Sequence, residues 1–538
     1  MRGLMMDFPL TLVTILERAG KIFGDVQIVS RQPDGSLRRS NYREMYRRAR
    51  KLARALELAG LRPADRVATL MWNHSTNLEC YFGIPVAGGV MHTLNFRLHP
   101  EEIAYIANHA RDRFLIVDDV LLPVYEKVRE KMRFERVLCV PFGGPSVPEG
   151  MESYETFLSE TDHEFDYPQI DEDQAASMCF TSGTTGRAKG VVYSHRALVL
   201  HSFGACLSDS WAVSNNDSLL AATSMFHANG WGVPYSAAMM GAKLVLPGSH
   251  LDPESLLELI EKENITLAAG VPTTWYGLLG ELERSPGRWR ARPLRIMCGG
   301  SAVPESLLRG LDRFGIRLIH LWGMTETTPV ATLGVIKSTL GNLSPEQKYK
   351  VRAKQGMPVP FIELRVMRPE GEAPWDGKTF GELETRGPWV AADYFEAPEA
   401  RDRWTTDGWF RTGDVATIDA DGYVKLVDRS KDLIKSGGEW ISSVDLENAL
   451  MCHPGVREAA VIGVPHPQWQ ERPLAVVVAK EGMAPRPEEL RSFLAERFAK
   501  WQLPDAFVFA KEIPRTSVGK FLKLKLREQY ADWKWDSV

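Results

Sequence analysis

Short apolar runs alternate with amphipathic segments from the N-terminus to Trp322. Apolar side chains recur every three or four positions over residues 10–23 and 42–58, which predicts two helices. Runs such as 65–71 and 266–272 are shorter and are bounded by turn residues, which predicts strands. Strands that alternate with helices are typical of parallel sheets covered by helices, so we predict layered α/β sheets.

A different pattern follows in the last third of the chain. Short strands separated by turns predict a small β-rich subdomain at 363–367, 381–385 and 422–427. Beyond Arg429 the chain returns to a compact set of helices and strands. The predicted protein is therefore α/β, with an N-terminal domain at 1–428, a hinge at 429–431 and a small C-terminal α/β domain at 432–538.

Composition and charge are those of an ordinary globular protein. A chain of 538 residues is too long for one core and predicts several domains. The 65 basic and 69 acidic residues give a net charge of −4, so neither a nucleic-acid surface nor an acidic tail is expected. The six cysteines are far apart in sequence, which indicates neither a zinc site nor a disulfide framework and fits a reduced cytoplasm.

No segment suggests a membrane or export. The first ten residues contain Asp7 and Pro9 and have no long apolar core, so they do not form a signal peptide. No apolar run approaches the ~18 residues of a spanning helix. We expect a cytoplasmic protein without a transmembrane segment.

Residues 181–190 are the most distinctive stretch. They contain three glycines, four hydroxyl side chains and Lys189, and they follow a short apolar run at 178–180. Glycine lets backbone N–H groups point at an anion, and hydroxyls add donors, so the composition fits a phosphate cradle. A Walker loop is excluded because its G-x4-G-K-[ST] spacing is missing. A mobile Gly/Thr turn is the alternative reading of this stretch alone.

The stretch T-S-G-T-T-G-x-x-K-G resembles the signature loop of the AMP-forming adenylating enzymes, which include acyl-CoA synthetases, firefly-type luciferases and peptide-synthetase adenylation domains. Further segments resemble the same family in the same order, at 322–327, 412–414, 428–432, 435–440 and 514–520. Ordered motifs over nearly the whole chain are more specific than any one motif. The resemblance implies ATP, Mg²⁺ and coenzyme A as ligands, and two steps: acyl-AMP formation with release of pyrophosphate, then acyl transfer to coenzyme A.

The resemblance implies which residues contact the nucleotide. Expected ATP and AMP contacts are Thr181, Ser182, Gly183, Thr184, Thr185, Gly186, Lys189, Gly300, Ser301, Ala302, His320, Leu321, Trp322, Gly323, Thr325, Glu326, Asp414, Arg429, Lys431 and Lys435. Two neighbouring strand ends that run into glycine would form a slot for adenine with Trp322 as its wall, although core packing is the alternative for this side chain. A carboxylate beside a triphosphate requires a cation, and the resemblance assigns Mg²⁺ to Glu326 and Thr181. The resemblance also implies that Asp414 accepts hydrogen bonds from the ribose hydroxyls of the nucleotide. The alternative for Asp414 is an aspartate that only stabilises a turn.

The C-terminal domain is expected to supply a cation. An ammonium between an attacking carboxylate and the α-phosphate lowers the barrier, and the resemblance makes Lys520 that group. The nearby Lys523, Lys525 and Arg527 are expected to be solvated. In the family the C-terminal domain turns about the hinge, so that one face presents Lys520 and the other presents Gly437, Gly438 and Glu439 to coenzyme A.

The acyl group is expected near residues 226–232. The resemblance places His227 and Ala228 against the acyl group and the α-phosphate, with Trp231 as a gate and Trp440 as its neighbour; fixed core packing is the alternative for Trp231. These segments are similar to those of bacterial medium- and long-chain fatty acyl-CoA synthetases and of methylmercaptopropionate-CoA ligases. Acyl length and oligomeric state, including a homodimer, stay open.

Other functional classes share these motifs. A carrier-protein adenylation module would be accompanied by a carrier domain, and none is expected in the 18 residues after Lys520. A luciferase-like oxygenase has the same motifs, and a nucleotide-binding protein without activity would lack the Lys520 segment. We expect a carboxylate–coenzyme A ligase, with His227, Thr181, Glu326 and Lys520 as catalytic residues.

Overall fold

The computed structural model describes residues 1, 3–144, 146–162, 164–181, 187–289, 293–437, 439–516 and 519–535. A large, mostly parallel sheet forms one half of the N-terminal part. Its strands, in spatial order, are Met357–Pro358, Val330–Leu333, Ile316–Gly323, Leu294–Cys298, Leu267–Gly270, Ser218–Ala221, Lys243–Leu246, Gln27–Arg31 and Leu37–Asn41. Its inner strands run parallel, whereas both edges are antiparallel.

A second mostly parallel sheet packs beside the first. Its strands, in spatial order, are Glu152–Ser153, Arg136–Val140, Phe114–Asp118, Arg66–Leu70, Val90–Thr93, Ala175–Phe180 and Gly190–Ser194. Buried side chains from both sheets and from the helices between them belong to one continuous core. Because parallel strands end at the same edge, the loops that follow them meet on one side of the domain.

Helices cover the sheets, as the alternating pattern predicts. In the N-terminal part they are Leu12–Ile22, Tyr42–Leu58, Ser75–Val86, Pro100–Ala110, Leu122–Glu126, Tyr154–Ser159, His195–Cys206, Val233–Met240, Pro253–Lys262, Pro272–Arg284, Glu305–Asp312 and Pro345–Arg352. Tyr42–Leu58 shows why they form: Asn41 caps it by accepting from the N–H of Glu44, and one apolar stripe that includes Leu52 is buried.

The β-rich subdomain is an antiparallel sheet. Its strands, in spatial order, are Gly371–Glu372, Glu363–Arg368, Gly381–Arg386, Phe410–Ile418 and Val424–Arg429. The last strand ends at the predicted hinge, and its pairing sets Asp414 opposite Arg429. The sequence pattern after residue 362 therefore predicts this subdomain correctly.

The C-terminal part has its own sheet and core. Its strands are Glu439–Ile441, Ile434–Ser436, Gln470–Ala479, Val456–His466 and Ala506–Phe509, and its helices are Ser443–Leu450, Pro487–Ala495 and Lys523–Gln529. Two clusters of buried side chains lie on the two faces of this sheet. The predicted fold class, a large α/β part with a β-rich subdomain and a smaller α/β part, is confirmed.

The buried side-chain amide of Asn73 joins the two large sheets. Asn73 follows the strand Arg66–Leu70 and donates to the carbonyl oxygens of Ala221 and Thr223, at 2.9 and 2.6 Å. Its own amide oxygen accepts from the N–H of Met225 at 2.9 Å. Asn73 therefore fixes the loop that leads to His227.

The structure contains no candidate for a membrane span in the part that it describes. Every helix of that part is too short or too polar to cross a lipid bilayer.

Candidate active site

A cavity of about 380 Å³ lies where the loops after several parallel strands meet the C-terminal part. From the N-terminal part it is lined by Thr181, Lys189, His227, Gly300 and Glu326, and from the C-terminal part by Lys520. Its position outside the carboxyl ends of parallel strands is the usual place for a ligand in an α/β sheet. The cavity brings together the residues that the resemblance assigns to catalysis.

A second cavity of about 230 Å³ adjoins the first and lies at the strand ends where the adenine slot is predicted. The strands Leu294–Cys298 and Ile316–Gly323 are parallel neighbours, with Cys298 opposite His320, so their glycine-rich ends lie side by side. Expected nucleotide residues line this cavity: Gly300, Ser301, Ala302, His320, Leu321, Trp322, Gly323, Asp414, Arg429 and Lys431. Gly300 has a φ of +90°, a conformation that glycine adopts without strain.

Asp414 is fixed by two partners at the edge of this slot. The indole N–H of Trp322 donates to one carboxylate oxygen at 2.9 Å, and the guanidinium of Arg429 pairs with the other at 2.7 Å. Asp414 is almost fully buried, and the strand pairing opposite Arg429 fixes its backbone. The arrangement offers a preorganised carboxylate for hydroxyl groups, and it gives Trp322 a hydrogen-bonding role that the sequence did not reveal.

Hydrogen bonds join the two ends of the predicted phosphate loop. The N–H of Thr181 donates to the carbonyl of Lys189 at 2.9 Å, and the N–H of Lys189 donates to the hydroxyl of Thr181 at 3.1 Å. Arg187 also lines the cavity, and its guanidinium lies 4.9 Å from the ring centre of Tyr105. The central loop residues 182–186 lie outside the described residues, so their predicted phosphate contacts stay a prediction.

Glu326 is a buried carboxylate inside the first cavity. It belongs to the short helical turn Thr325–Thr327, and its Oε1 accepts from the hydroxyl of Tyr394. In the described part of the chain, no lysine, arginine or histidine lies within ion-pair distance of it. A buried carboxylate without a paired cationic side chain, in a cavity that Thr181 also lines, fits a site for a hard cation such as Mg²⁺.

Lys520 reaches the same cavity from the C-terminal part. It sits in a tight turn in which the N–H of Thr516 donates to the carbonyl of Lys520 at 2.7 Å. Burial and then the positive charge of Arg429 lower the pKa of Lys520 to about 8, against the opposing effect of Asp414 and Glu326. Below about pH 8 the Lys520 side chain is therefore a partly buried cation at the wall of the cavity.

His227 faces this lysine as a neutral imidazole. Burial and the nearby charge of Lys520 lower its pKa to about 3. At neutral pH it therefore offers one N–H donor and one acceptor nitrogen to the cavity, rather than a charge.

Trp231 lies in an unusual backbone segment next to His227. Residues 228–232 all have positive φ, between +44° and +74°, and three of them are not glycine. A left-handed conformation costs roughly 1–2 kcal/mol for each such residue. Trp231 is nearly buried and lines the first cavity. A strained turn thus carries the predicted gate.

The residues expected to face coenzyme A lie elsewhere. Lys435 and Trp440 line neither cavity, and the Lys435 ammonium lies 4.8 Å from the Trp440 ring centre. The N–H of Gly437 donates to the carbonyl of Trp469 at 3.0 Å, Glu439 is exposed, and Gly438 lies outside the described residues. The structure therefore presents the Lys520 face to the cavity, and the roles of this second group stay predictions, as does the contact between Trp231 and Trp440.

The expectation that Lys523 and Arg527 are solvated is wrong. Lys523 is buried and pairs with Glu447 at 2.7 Å, and Arg527 pairs with Asp432. The helix Lys523–Gln529 turns both side chains towards the protein, whereas Lys525 is exposed as expected. Tyr394 was also missed, because nothing in its local sequence links it to Glu326.

Comparison with known proteins agrees with this geometry. The sequence matches the AMP-binding enzyme family over residues 16–395 and the C-terminal domain of AMP-binding enzymes over residues 445–520. It is 51% identical over 532 residues to a long-chain-fatty-acid–CoA ligase of Thermus thermophilus, covering 98% of this chain and 97% of the relative. It is 45% identical over 538 residues to a 3-methylmercaptopropionyl-CoA ligase of Ruegeria pomeroyi, covering 99% of each.

A solved structure shares the whole architecture. The anthranilate CoA ligase AuaEII in complex with anthranoyl-AMP superimposes with a TM-score of 0.85 and 26% identity, over 97% of this chain and 98% of that one. The two matched regions contain both large sheets, three of the five strands of the β-rich subdomain and much of the C-terminal part. The chain therefore belongs to the family of AMP-binding enzymes.

Proposed function

We propose that the protein is an ATP-dependent, AMP-forming ligase that joins a fatty acid or a related carboxylic acid to coenzyme A. The observation that carries the proposal is the meeting of Lys520 with Thr181, His227 and Glu326 around one cavity. A reaction between two anions requires positive charge at the reacting atoms, which the Lys520 ammonium supplies directly and which Glu326 would supply by holding a divalent cation.

The nucleotide would occupy both cavities. Adenine fits the slot beside Trp322, the ribose hydroxyls meet Asp414, and the phosphates extend towards Lys189 and Arg187. Thr181 and Glu326 would hold Mg²⁺, which supplies positive charge to the phosphate oxygens. Tyr394 orients Glu326 for this role by donating to one of its oxygens.

In the first step a carboxylate oxygen of the substrate attacks the α-phosphorus, and pyrophosphate leaves. In this proposal the Lys520 ammonium contacts both the carboxylate and the α-phosphate, so it offsets their repulsion and stabilises the charge of the transition state. His227 adds a neutral N–H donor at the acyl end. In the second step the sulfur of coenzyme A attacks the acyl carbonyl and AMP leaves.

The second step requires another face of the C-terminal domain. In this proposal the domain turns about residues 429–431 and replaces Lys520 with Gly437, Gly438 and Glu439, while Lys435 approaches the nucleotide. Bare glycine backbone suits a narrow passage for the pantetheine arm. The described position of Lys435 and Gly437, away from both cavities, is the arrangement expected before that turn.

The acyl substrate is the open part of the proposal. The relatives named above act on a long-chain fatty acid and on 3-methylmercaptopropionate, and both possibilities carry over to this chain. A fatty acid is our first choice because the large apolar side chain of Trp231 lines the cavity next to His227, which supports an apolar acyl side. A cytoplasmic location fits the six free cysteines, and a homodimer stays a prediction that light scattering would test.

A carboxylate panel tests the function. AMP formation should require ATP, coenzyme A and one class of acid among the straight-chain acids from acetate to stearate and 3-methylthiopropionate. Omission of coenzyme A is the control. Light emission or oxygen consumption without coenzyme A-dependent AMP release would instead identify a luciferase-like oxygenase, and activity with no acid at all would refute the proposal.

Replacing Lys520 should separate the two steps. Lys520→Ala removes a charged contact to the transition state of acyl-AMP formation, so that step should slow by roughly 10²–10³-fold. Thioester formation from supplied acyl-AMP should keep the wild-type rate, because Lys520 has then left the site. Single-turnover measurements of each step decide the matter, and an equal loss in both steps would contradict the assignment.

The pH dependence of acyl-AMP formation should report Lys520. Its pKa is lowered to about 8, so the ammonium is present below that pH and is lost above it. We expect kcat/KM for ATP, measured without coenzyme A, to fall as pH rises through about 8. Lys520→Arg should be slower but should lack this fall, because a guanidinium stays charged. The same fall in Lys520→Arg would assign it to another group.

Trp231→Ala should open the acyl side. If Trp231 is a gate, wild-type protein binds a fatty acid more tightly with a non-hydrolysable ATP analogue than without it, and the mutant loses most of that difference while it keeps ATP affinity. Calorimetric titration measures both affinities. Trp375→Ala, at an exposed tryptophan of the β-rich subdomain, is the matched control. If ATP leaves wild-type fatty-acid affinity unchanged, Trp231 is a packing residue.

A further inference from the structure

Charged side chains are buried where the last strand before the hinge meets two C-terminal helices. Asp428 is the next-to-last residue of the strand Val424–Arg429, Ser443 and Glu447 lie on the helix Ser443–Leu450, and Lys523 begins the helix Lys523–Gln529. Their exposed fractions are 3%, 0%, 6% and 9%. We call these four residues the hinge cluster. Asp428, Glu447 and Lys523 also line the second cavity, but the proposed function gives none of the four residues a contact with a substrate.

Hydrogen bonds make the hinge cluster continuous. One oxygen of Asp428 accepts from the backbone N–H of Ser443 at 2.7 Å and from its hydroxyl. The ammonium of Lys523 donates to that hydroxyl oxygen at 2.5 Å and pairs with Glu447 at 2.7 Å. The chain of contacts therefore runs from the N-terminal side of the hinge, through Ser443, to Lys523.

Lys523 also lies at the base of the turn that carries Lys520. Arg515 and Phe521 form a β-bridge, and the N–H of Leu522 donates to the carbonyl of Pro514 at 2.7 Å. This short hairpin is followed directly by Lys523. Whatever fixes the Lys523 ammonium thus fixes the base of the hairpin and, three residues earlier, the position of Lys520.

The charges of the hinge cluster are unequal. Two carboxylates share one ammonium, and burial raises the pKa of Asp428 and brings that of Glu447 to about 7. Asp432, Arg527 and Lys431 are the other charged groups nearby, and Arg527 pairs with Asp432. Separating the partners of a buried ion pair leaves an uncompensated charge, which strongly destabilises the protein. The contacts of the cluster therefore hold its side chains in a fixed geometry.

We propose that the hinge cluster positions Lys520 for acyl-AMP formation and that its contact between Asp428 and Ser443 must open before the thioester step. The proposal rests on the two-step reaction given above. Asp428 lies on the N-terminal side of residues 429–431, whereas Ser443, Glu447 and Lys523 all lie on the C-terminal side. A turn about the hinge separates Asp428 from Ser443 but leaves Lys523 paired with Glu447. The cluster therefore has one contact that breaks and one that persists.

Asp428→Ala tests this division, because it removes the contact that breaks and leaves the ion pair between Lys523 and Glu447 in place. The Lys520 turn loses its tether, so acyl-AMP formation should slow by roughly tenfold or more in kcat, with KM for ATP changed less than about twofold. Thioester formation from supplied acyl-AMP should stay at the wild-type rate or rise. Ser443→Ala, which removes the hydroxyl between Asp428 and Lys523, should show the same separation of the two steps and serves as a second variant if Asp428→Ala does not fold.

Two further variants separate positioning from general stability. Lys525→Met alters an exposed lysine of the same helix and should change neither step. Lys523→Arg keeps the charge and should retain more acyl-AMP formation than Lys523→Met at equal melting temperature, because a guanidinium still bridges Ser443 and Glu447.

The outcomes distinguish this inference from the proposed function. If the wild type forms acyl-AMP but Asp428→Ala and Ser443→Ala slow both steps equally, or slow neither, the hinge cluster does not position Lys520. If the wild type forms no acyl-AMP from any acid, the proposed function itself has failed, and so has an inference that depends on it.

Discussion

Repulsion between a carboxylate and a triphosphate is the constraint on which this site depends. The two anions react only where protein cations lie between them, and water would destroy the mixed anhydride that forms. In the structure, the ammonium group of Lys520 reaches the cavity from a separate part of the chain. Lys520 shares one cavity with Thr181 and Glu326, yet it belongs to the C-terminal part, which the proposed hinge at residues 429–431 joins to the rest. A cation on such an attachment can be present for one step and absent for the next.

The large sheets serve this arrangement by aligning their strand ends. Parallel neighbours such as Leu294–Cys298 and Ile316–Gly323 release their loops at one edge, where backbone and side chains converge on a ligand. Buried polar groups then fix the loops: Asn73 holds the approach to His227, and Trp322 holds Asp414. Each of these bonds lies in surroundings with little water, where an unmade bond would cost about 1–3 kcal/mol.

The sequence predicted the layers and the strand ends well, because apolar periodicity and glycine position are local signals. Trp322, Glu326, Asp414 and Lys520 were found through the resemblance, and the structure brings them to two adjoining cavities. Tyr394 and Lys523 could not be found in this way. Their partners are 68 and 76 residues distant along the chain, and no local sequence pattern links residues that only the tertiary fold brings together.

The central claim, that a carboxylate and ATP react at the Lys520 cavity before coenzyme A takes part, is tested most directly by isotope exchange between pyrophosphate and ATP. With the accepted acid, Mg²⁺ and no coenzyme A, the wild-type protein should transfer label from pyrophosphate into ATP, and Lys520→Ala should lose most of this exchange. Exchange that requires coenzyme A, or that proceeds equally well without any acid, would contradict the account.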